Sequence, residues 1–370
     1  MGTRADTKIL HVCESIQGGI ATYLDELAPL QIAEFGANNV RFVVPSRSRP
    51  DLPNVPNECL IGIDYDRRSA RNLLRYAGRV RRIIAEERPT LVHAHSTFAG
   101  AASRLLRAAG LAPVPIVYCA HGWSFLMDVR ERKKRIYTAA ERWLSRYTDA
   151  IVHISRHEHD RALRIGIPAN KSFLIFNGIG NTLPAPRIDL PRNRINLLFA
   201  GRLDRQKGSD IILDAMARLR DVEVHLYVAG DAVHGNAERP ILPNVTYLGW
   251  VSRDVLDSYY SAVDALVMPS RWEGFGLAAV EAMRQSTAVL ASAQGALPEI
   301  VISRQTGLLC PSNDPAVWAD LLRGLNKAEL QRWGQEALER QRQLFSIDRV
   351  HSQLCDVYEA VGRSAQDAAR

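Results

Sequence analysis

The chain has 370 residues, of which 46% are hydrophobic and 24% charged, and a net charge of +7. That balance belongs to water-soluble globular proteins and, at roughly 150 residues per domain, leaves room for about two domains with buried cores. No apolar run approaches the ~18 residues of a membrane-spanning helix, so none is expected.

The N-terminus leads straight into a strand-like run, with no signal-peptide apolar region. Cys13, Cys59, Cys119, Cys310 and Cys355 are dispersed and lack C-x2-C spacing. They read as buried free thiols in a reducing compartment, rather than as a disulfide or zinc framework. A cytoplasmic location follows as the expectation.

Short β-type runs alternate with helix-length segments from end to end. In the first half the apolar runs are Ile9–Cys13, Val40–Val44, Leu91–His95, Ile116–Ala120 and Ala150–Ile154. Helices are expected at Ala21–Phe35, Arg67–Glu87 and Ala99–Gly110, and from a capping box at Ser155–Glu158 through Ile165. Such alternation predicts a parallel, doubly wound α/β sheet. Gly18-Gly19 follows the first strand as a tight turn that could face a phosphate. There is no G-x-G-x-x-G, which argues against a nicotinamide or flavin cofactor.

Charge is uneven. Residues 1–180 carry 26 basic against 17 acidic residues, whereas 181–370 carry 21 against 23. The excess sits in two helix-like stretches, Arg67–Arg88 and Arg130–Arg146. Basic amphipathic helices can lie on anionic lipid, and solvated surface helices have the same composition. Nucleic-acid binding is not expected, since no zinc finger, RRM-type aromatic signature or basic tail is present.

His121-Gly122-Trp123 comes at the end of the fourth of those strands or close to it. His93 and His95 flank Ala94 and are expected on alternate faces of a strand, as satisfied core or cleft histidines rather than a metal pair. His157 and His159 lack the i, i+4 spacing of a zincin helix. Asp64-Tyr65-Asp66 superficially matches a metal-binding D-x-D, but it precedes an Arg-rich helix, where Asp66 as N-cap is the plainer account. No catalytic metal is predicted.

After Asn177-Gly-Ile-Gly-Asn181, a Pro- and Arg-containing stretch to Arg194 is the best linker. The β/α alternation then restarts with runs at Leu197–Ala200, Val224–Ala229, Val245–Leu248, Ala265–Met268 and Ala288–Ala291. Helices are expected at Ser209–Leu219 and Ser252–Ser261, and the last segments, Lys327–Phe345 and Ser346–Val361, also read as helices. Two successive open sheets imply two Rossmann-like domains with a cleft between them.

Two segments of this half carry chemistry. Ala200-Gly-Arg202-Leu-Asp-Arg-Gln-Lys207-Gly208 places two cations at a strand end, where they would stabilise the growing charge of a departing diphosphate. Pro269-Ser-Arg-Trp-Glu273-Gly274-Phe275-Gly276-Leu277-Ala-Ala-Val-Glu281-Ala-Met283 runs from a strand through a glycine turn into a helix. The free N–H groups of that helix's first turn can receive an anion. Its two carboxylates, eight positions apart, can each accept from vicinal hydroxyls of a sugar or ribose. The spacing alone is equally that of an ordinary strand, turn and helix with solvated glutamates.

The second segment resembles the E-x7-E signature of retaining, family 4 type sugar-nucleotide glycosyltransferases of the GT-B fold. Gly201–Gly208 resembles that family's G-R-x-x-x-x-K-G pattern. Gly295-Ala-Leu-Pro-Glu299-Ile-Val and Thr306-Gly-Leu-Leu309 resemble two more of its segments. Asn177-Gly178-Ile179 resembles its N-G-[IV]-D, with Gly180 in place of the usual Asp.

The resemblance implies domains at 1–180 (acceptor-binding), 181–345 (nucleotide-sugar-binding) and 346–370 (a helix packing back toward the first domain). It implies hexose transfer from a UDP- or GDP-linked sugar to a saccharide or lipid-linked saccharide, with the nucleotide sugar as co-substrate and no cofactor. By the same resemblance Arg202 and Lys207 clamp the pyrophosphate and His121 reaches the donor sugar. Gly18 and Gly19 let the backbone approach the diphosphate, and Gly249, Trp250 and Val251 hold the base. Glu273, with the backbone of Gly274, Phe275, Gly276 and Leu277, holds the sugar, and Glu281 holds the ribose.

A lipid-linked acceptor at the inner face of the cytoplasmic membrane, in cell-surface polysaccharide or glycolipid assembly, fits the basic first domain. The other classes are a different GT-B enzyme, such as a sugar-nucleotide epimerase or a phosphorylase, and a catalytically silent nucleotide-sugar-binding protein.

Overall fold

Strands that are buried on both faces are largely apolar, and the runs behave so in the computed structural model apart from buried polar residues such as His11, His93 and His95. It describes residues 7–16, 18–64, 69–181, 188–232 and 239–369. Two compact units emerge, one of Met1–Ile179 with Ile347–Arg370, the other of Gly180–Ser346.

The first unit follows the order β1 (Ile9–Cys13), α1 (Gly19–Phe35), β2 (Val40–Val44), β3 (Leu60–Gly62), α2 (Ala70–Glu87), β4 (Leu91–His95), α3 (Thr97–Ala108), β5 (Ile116–Cys119), α4 (Glu131–Leu144), β6 (Ala150–His153), α5 (Arg156–Arg164) and β7 (Ser172–Leu174). Its seven strands lie in the order β3-β2-β1-β4-β5-β6-β7, and every pairing is parallel. The short edge strands β3 and β7 are not legible as apolar runs. Ser155 caps α5 by accepting from the Glu158 amide at 3.1 Å, as its capping box predicts. Ser69 caps α2 by accepting from the Asn72 amide, so α2 begins at Ala70 and not at Arg67; Asp66, the expected cap, lies outside the described residues.

The second unit runs β8 (Ile195–Ala200), α6 (Ser209–Ala217), β9 (Val224–Ala229), β10 (Val245–Gly249), α7 (Arg253–Ala262), β11 (Ala265–Met268), α8 (Leu277–Arg284), β12 (Ala288–Ser292), α9 (Leu297–Ile300), β13 (Gly307–Cys310), α10 (Pro315–Arg323) and α11 (Lys327–Leu344). The parallel strand order is β10-β9-β8-β11-β12-β13. Trp318 of α10 and Trp333 of α11 anchor its core with Leu226, Met216 and Leu290. The final helix, α12 (Ile347–Ala369), belongs to the first unit. There the Ile347 amide donates to the Ile179 carbonyl at 3.0 Å.

In each sheet strand order reverses once, between β1 and β4 and between β8 and β11. In open α/β sheets ligands bind outside the carboxyl ends of the strands at such a reversal. Gly18-Gly19 follows β1, Arg202 and Lys207 follow β8, and Glu273 follows β11, all at one of these two places.

The two faces of the first sheet are built differently. Leu10, Val12, Val92 and Ala94 face a core shared with Tyr76, Val80 and Leu106 of α2 and α3. His93 and His95 stand on the opposite face, together. Residues two apart on a strand share a face, so the expectation of alternate faces is corrected: their ring centroids are 4.1 Å apart. His11 of β1 pairs in register with His93, and α1 and α12 cover this face through Gln31 and Tyr358. All five cysteines are buried and none is in a disulfide.

Candidate active site

In the second unit the site is assembled from the loops after β8 and β11. Gly208 closes the first loop at φ +70°, and a Cβ there would stand 2.0 Å from the Pro269 carbonyl oxygen. Glycine is therefore required, and its absent side chain lets the two loops touch. Across that contact Lys207 Nζ donates to Glu273 Oε1 at 2.5 Å, and Ser270 Oγ donates to the same oxygen at 3.1 Å. Gly295, at φ +59°, would clash with the Glu273 carbonyl at 2.3 Å if it bore a Cβ. This gives the Gly295–Glu299 segment a physical purpose: it backs the Glu273 loop at van der Waals range.

Asp204 organises the cations. Its Oδ2 accepts from Arg202 Nε at 2.7 Å and its Oδ1 from the Lys207 amide at 2.9 Å, while Arg202 also donates to Gln206 Oε1 at 3.0 Å. Arg271 donates both guanidinium arms to Asp210 at 2.7 and 2.6 Å, which holds the Asp210 carboxyl below its usual range. Asp204, Gln206, Ser270 and the Arg271–Asp210 pair were not singled out in the sequence. The only hint was that three of the four positions between Arg202 and Lys207 are polar.

Glu281 is handled separately from Glu273. Its Oε2 accepts from the Tyr260 hydroxyl at 3.1 Å. Burial pushes the Glu281 carboxyl up, against the opposing pull of Arg253 and Arg284; Arg284 is itself held by Asp257 at 2.9 Å. Gly276 caps α8 with φ +109°, leaving the helix's first N–H groups beside Gly274, Phe275 and Leu277. Phe275 is buried edge-on against Phe345. At the end of β10 the Gly249 carbonyl accepts from the Gly230 amide at 2.7 Å, Trp250 is 63% exposed, and Val251 follows it.

In the first unit Gly18 takes φ +62° as the N-cap of α1, with Gly19 opening the helix. A Cβ on Gly18 would meet nothing, so the residue serves backbone conformation and not packing. His121 has φ +51° and Ser96 φ +70°; left-handed non-glycine residues just beyond two neighbouring strand ends mark strain held by the surrounding structure. Ser96 donates to the buried carboxylate of Glu14, which also accepts from the Ala99 amide at the start of α3. Tyr23 of α1 meets the His121 ring edge-on at 4.9 Å. Burial lowers His121 to about 3 and His11 to about 4, and holds His93 and His95 well below the usual imidazole range. All four rings are neutral at pH 7.

Two families match. Residues 194–327 match the one described as Glycosyl transferases group 1, and residues 17–180 match Glycosyltransferase Family 4. An uncharacterized protein of a Klebsiella pneumoniae cps region is 32% identical over 83% of this chain and 86% of its own length. The chain is a family 4 glycosyltransferase of the GT-B fold. A D-inositol 3-phosphate glycosyltransferase of Xylanimonas cellulosilytica is 29% identical over 72% of this transferase and 71% of its own chain. Among solved structures the fold is shared with a sucrose-phosphate synthase of Thermosynechococcus elongatus at TM-score 0.81, 23% identity and coverage of 97% and 100% of the two chains. It is also shared with Anabaena HepE in complex with UDP and glucose at TM-score 0.75, 19% identity and coverage of 95% and 99%.

Among the described residues, no helix of the transferase is long and apolar enough to cross a membrane.

Proposed function

We propose that this transferase moves a hexose from a UDP- or GDP-linked donor to a saccharide or lipid-linked saccharide, with retention at the anomeric carbon, in cell-surface polysaccharide or glycolipid synthesis. The observation that carries the reading is the Lys207–Glu273 contact, built across two loops that a glycine is required to bring together. Arg202 and Lys207 would neutralise the departing diphosphate, which gains negative charge as the glycosidic bond breaks. Asp204 holds the Arg202 guanidinium and fixes the loop at the Lys207 amide. Glu273, with the N–H groups of Gly274, Phe275 and Gly276, would hold the sugar hydroxyls, and Glu281 the ribose. Gly249–Val251 would seat the base, and His121 would orient the sugar, with Gly18 and Gly19 allowing close backbone approach. We assign none of these side chains as a covalent nucleophile and take the reaction as same-face attack assisted by the leaving phosphate, as the family resemblance implies. The cps-region relative, and a likeness in fold to the lipopolysaccharide galactosyltransferase WaaB at TM-score 0.67, support the polysaccharide context.

The test is a thermal-shift panel of UDP- and GDP-sugars, followed by transfer and donor-hydrolysis assays with the anomeric configuration of the product read by NMR. Stabilisation by a nucleotide sugar with retained configuration is expected. An inverted product sinks the retaining mechanism, and stabilisation without any sugar release favours a silent binding protein.

The two basic helices now separate. On α2, Tyr76, Ala77, Val80 and Ile83 are buried against the sheet while Leu74 stands 71% exposed, so its arginines are the solvated side of a packed helix with one apolar residue among them. On α4, Ile136 and Trp143 are 58% and 41% exposed, seven positions apart among exposed Arg132, Lys133, Arg135 and Arg142. That face suits an anionic lipid surface, where apolar insertion and charge act together. Co-sedimentation with anionic liposomes should fall on Trp143→Ser; equal binding to neutral vesicles would remove the electrostatic part.

A further inference from the structure

His121 is the outermost member of a file of hydrogen-bonded groups. Its Nε2 lies 2.9 Å from Nδ1 of His95, and Nε2 of His95 lies 2.9 Å from Nδ1 of His11. Nε2 of His11 lies 2.7 Å from Oε1 of Gln31. The Gln31 amide nitrogen donates to the Tyr358 hydroxyl at 3.2 Å, and that hydroxyl lies 2.7 Å from Nδ1 of His93. His11, His93 and His95 are sealed from solvent, whereas His121 is half-buried.

A neutral imidazole has one donor and one acceptor, so in such a file one proton position fixes all the others. Gln31 Oε1 can only accept, so His11 carries its hydrogen on Nε2 and accepts at Nδ1. His95 must then donate from Nε2 and accept at Nδ1, and His121 must donate from Nε2. Nδ1 of His121 is left as a lone pair with no protein partner recorded among the described residues. The Tyr358 hydroxyl, accepting from Gln31, gives its own hydrogen to His93. The file therefore begins on α1 and α12 and ends at the left-handed residue beyond β5.

We propose that Gln31, held by Tyr358 of the C-terminal helix, is a positioning residue that sets the tautomer of His121 through His11 and His95, so that Nδ1 of His121 presents an acceptor. The consequence for turnover, acceptance of a donor-sugar hydroxyl at that nitrogen, rests on the role given to His121 above. An amide turned over would reverse every hydrogen in the file and present an N–H instead. The same three buried rings, His11, His93 and His95, bring ligand atoms within 4.8 Å of one another. A metal shared there would replace the His11–His95 hydrogen bond on which the relay depends.

Two-bond proton–nitrogen NMR of the full chain labelled with 15N-histidine reads each tautomer directly. At pH 7.5 His11, His95 and His121 should all show a protonated Nε2 and a bare Nδ1. In Gln31→Met and in Tyr358→Phe, the single Nε2–H signature of His121 should give way to both tautomers. A protonated Nδ1 at His121 in the wild type overturns the proposal, as does a His121 signature unchanged in both variants. So does stoichiometric zinc that collapses the His11–His95 pattern and is reversed by chelator. If Gln31→Met does not fold, the wild-type spectrum and Tyr358→Phe still decide. Turnover in Gln31→Met should fall about tenfold, the scale of one hydrogen bond, with nucleotide affinity unchanged. If the tautomer moves and turnover does not, the relay stands and it is the place of His121 beside the sugar that fails.

Discussion

The two units carry polar groups to the same location, the carboxyl ends of strands flanking a reversal of strand order, and arm it in opposite ways. The second unit uses formal charges: Arg202, Lys207, Asp204 and Glu273 stand in loops beyond β8 and β11, where the Arg202 side chain keeps 43% and that of Lys207 21% of its exposure. In the first unit, neutral imidazoles lie on β1 and β4, sealed under α1 and α12, and the buried carboxylate of Glu14 accepts from Ser96 and the Ala99 amide. The difference is one of depth. A charge is tolerable where water or a paired opposite charge remains close, and too costly on a sealed strand face, where an ionisable ring instead surrenders its proton.

The largest effect should come from acid. His11, His121 and His153 are held at about 4, about 3 and about 3, against 6.5 for a free ring, and His93 and His95 lie well below it. Below pH 6.5 the unfolded chain therefore binds protons that the folded first unit refuses. Its stability is whole above that value and falls toward pH 4 with a slope of about 1.4 kcal/mol per pH unit for each such ring. In the second unit only His225 shows this depression among the described histidines. Pulse proteolysis in urea at pH 7.5 and 5.0, with fragments assigned to each unit, should show the first unit weakening more. Equal weakening would break the contrast.

Next in size, Lys207→Ala should lower kcat by about 10²-fold or more, the scale of losing one transition-state stabiliser. Single-turnover rates check this; a near-wild-type rate in a folded variant would remove Lys207 from the chemistry. Asp204→Ala should do less, a loss of about tenfold in kcat/KM, because it frees Arg202 and the Lys207 amide without deleting either. If Asp204→Ala were as damaging as Lys207→Ala, the carboxylate would be a direct participant and not a support.

Much of the fold is legible because apolar strands and amphipathic helices announce their periods. β1, β2, β4, β9 and β11 fall where their runs begin and end. The edge strands β3 and β7 escape because three residues are too few to make an apolar run legible, and α10 is missed for want of a long one. The partners of the site residues escape for another reason. Ser270 is three positions from Glu273, but Lys207 is 66 away and Tyr260 is 21 from Glu281; only folding selects such pairs from the many polar side chains on offer. His93 and His95 share one face, contrary to the expectation of alternate faces, and their i, i+2 spacing alone decides it.

The sequence by itself determined the succession of strands and helices, the two glycine-lined loops, and the residue types able to meet a diphosphate and a sugar. Those are local properties, set by side-chain chemistry and backbone preference over a few residues. Tertiary structure alone decided which cation meets which carboxylate, which basic helix leaves an apolar stripe uncovered, and how four histidines from two strands and a loop come to share a hydrogen-bonded file. Charge state and tautomer depend on burial and on partners distant in the chain, and no local stretch of sequence contains either.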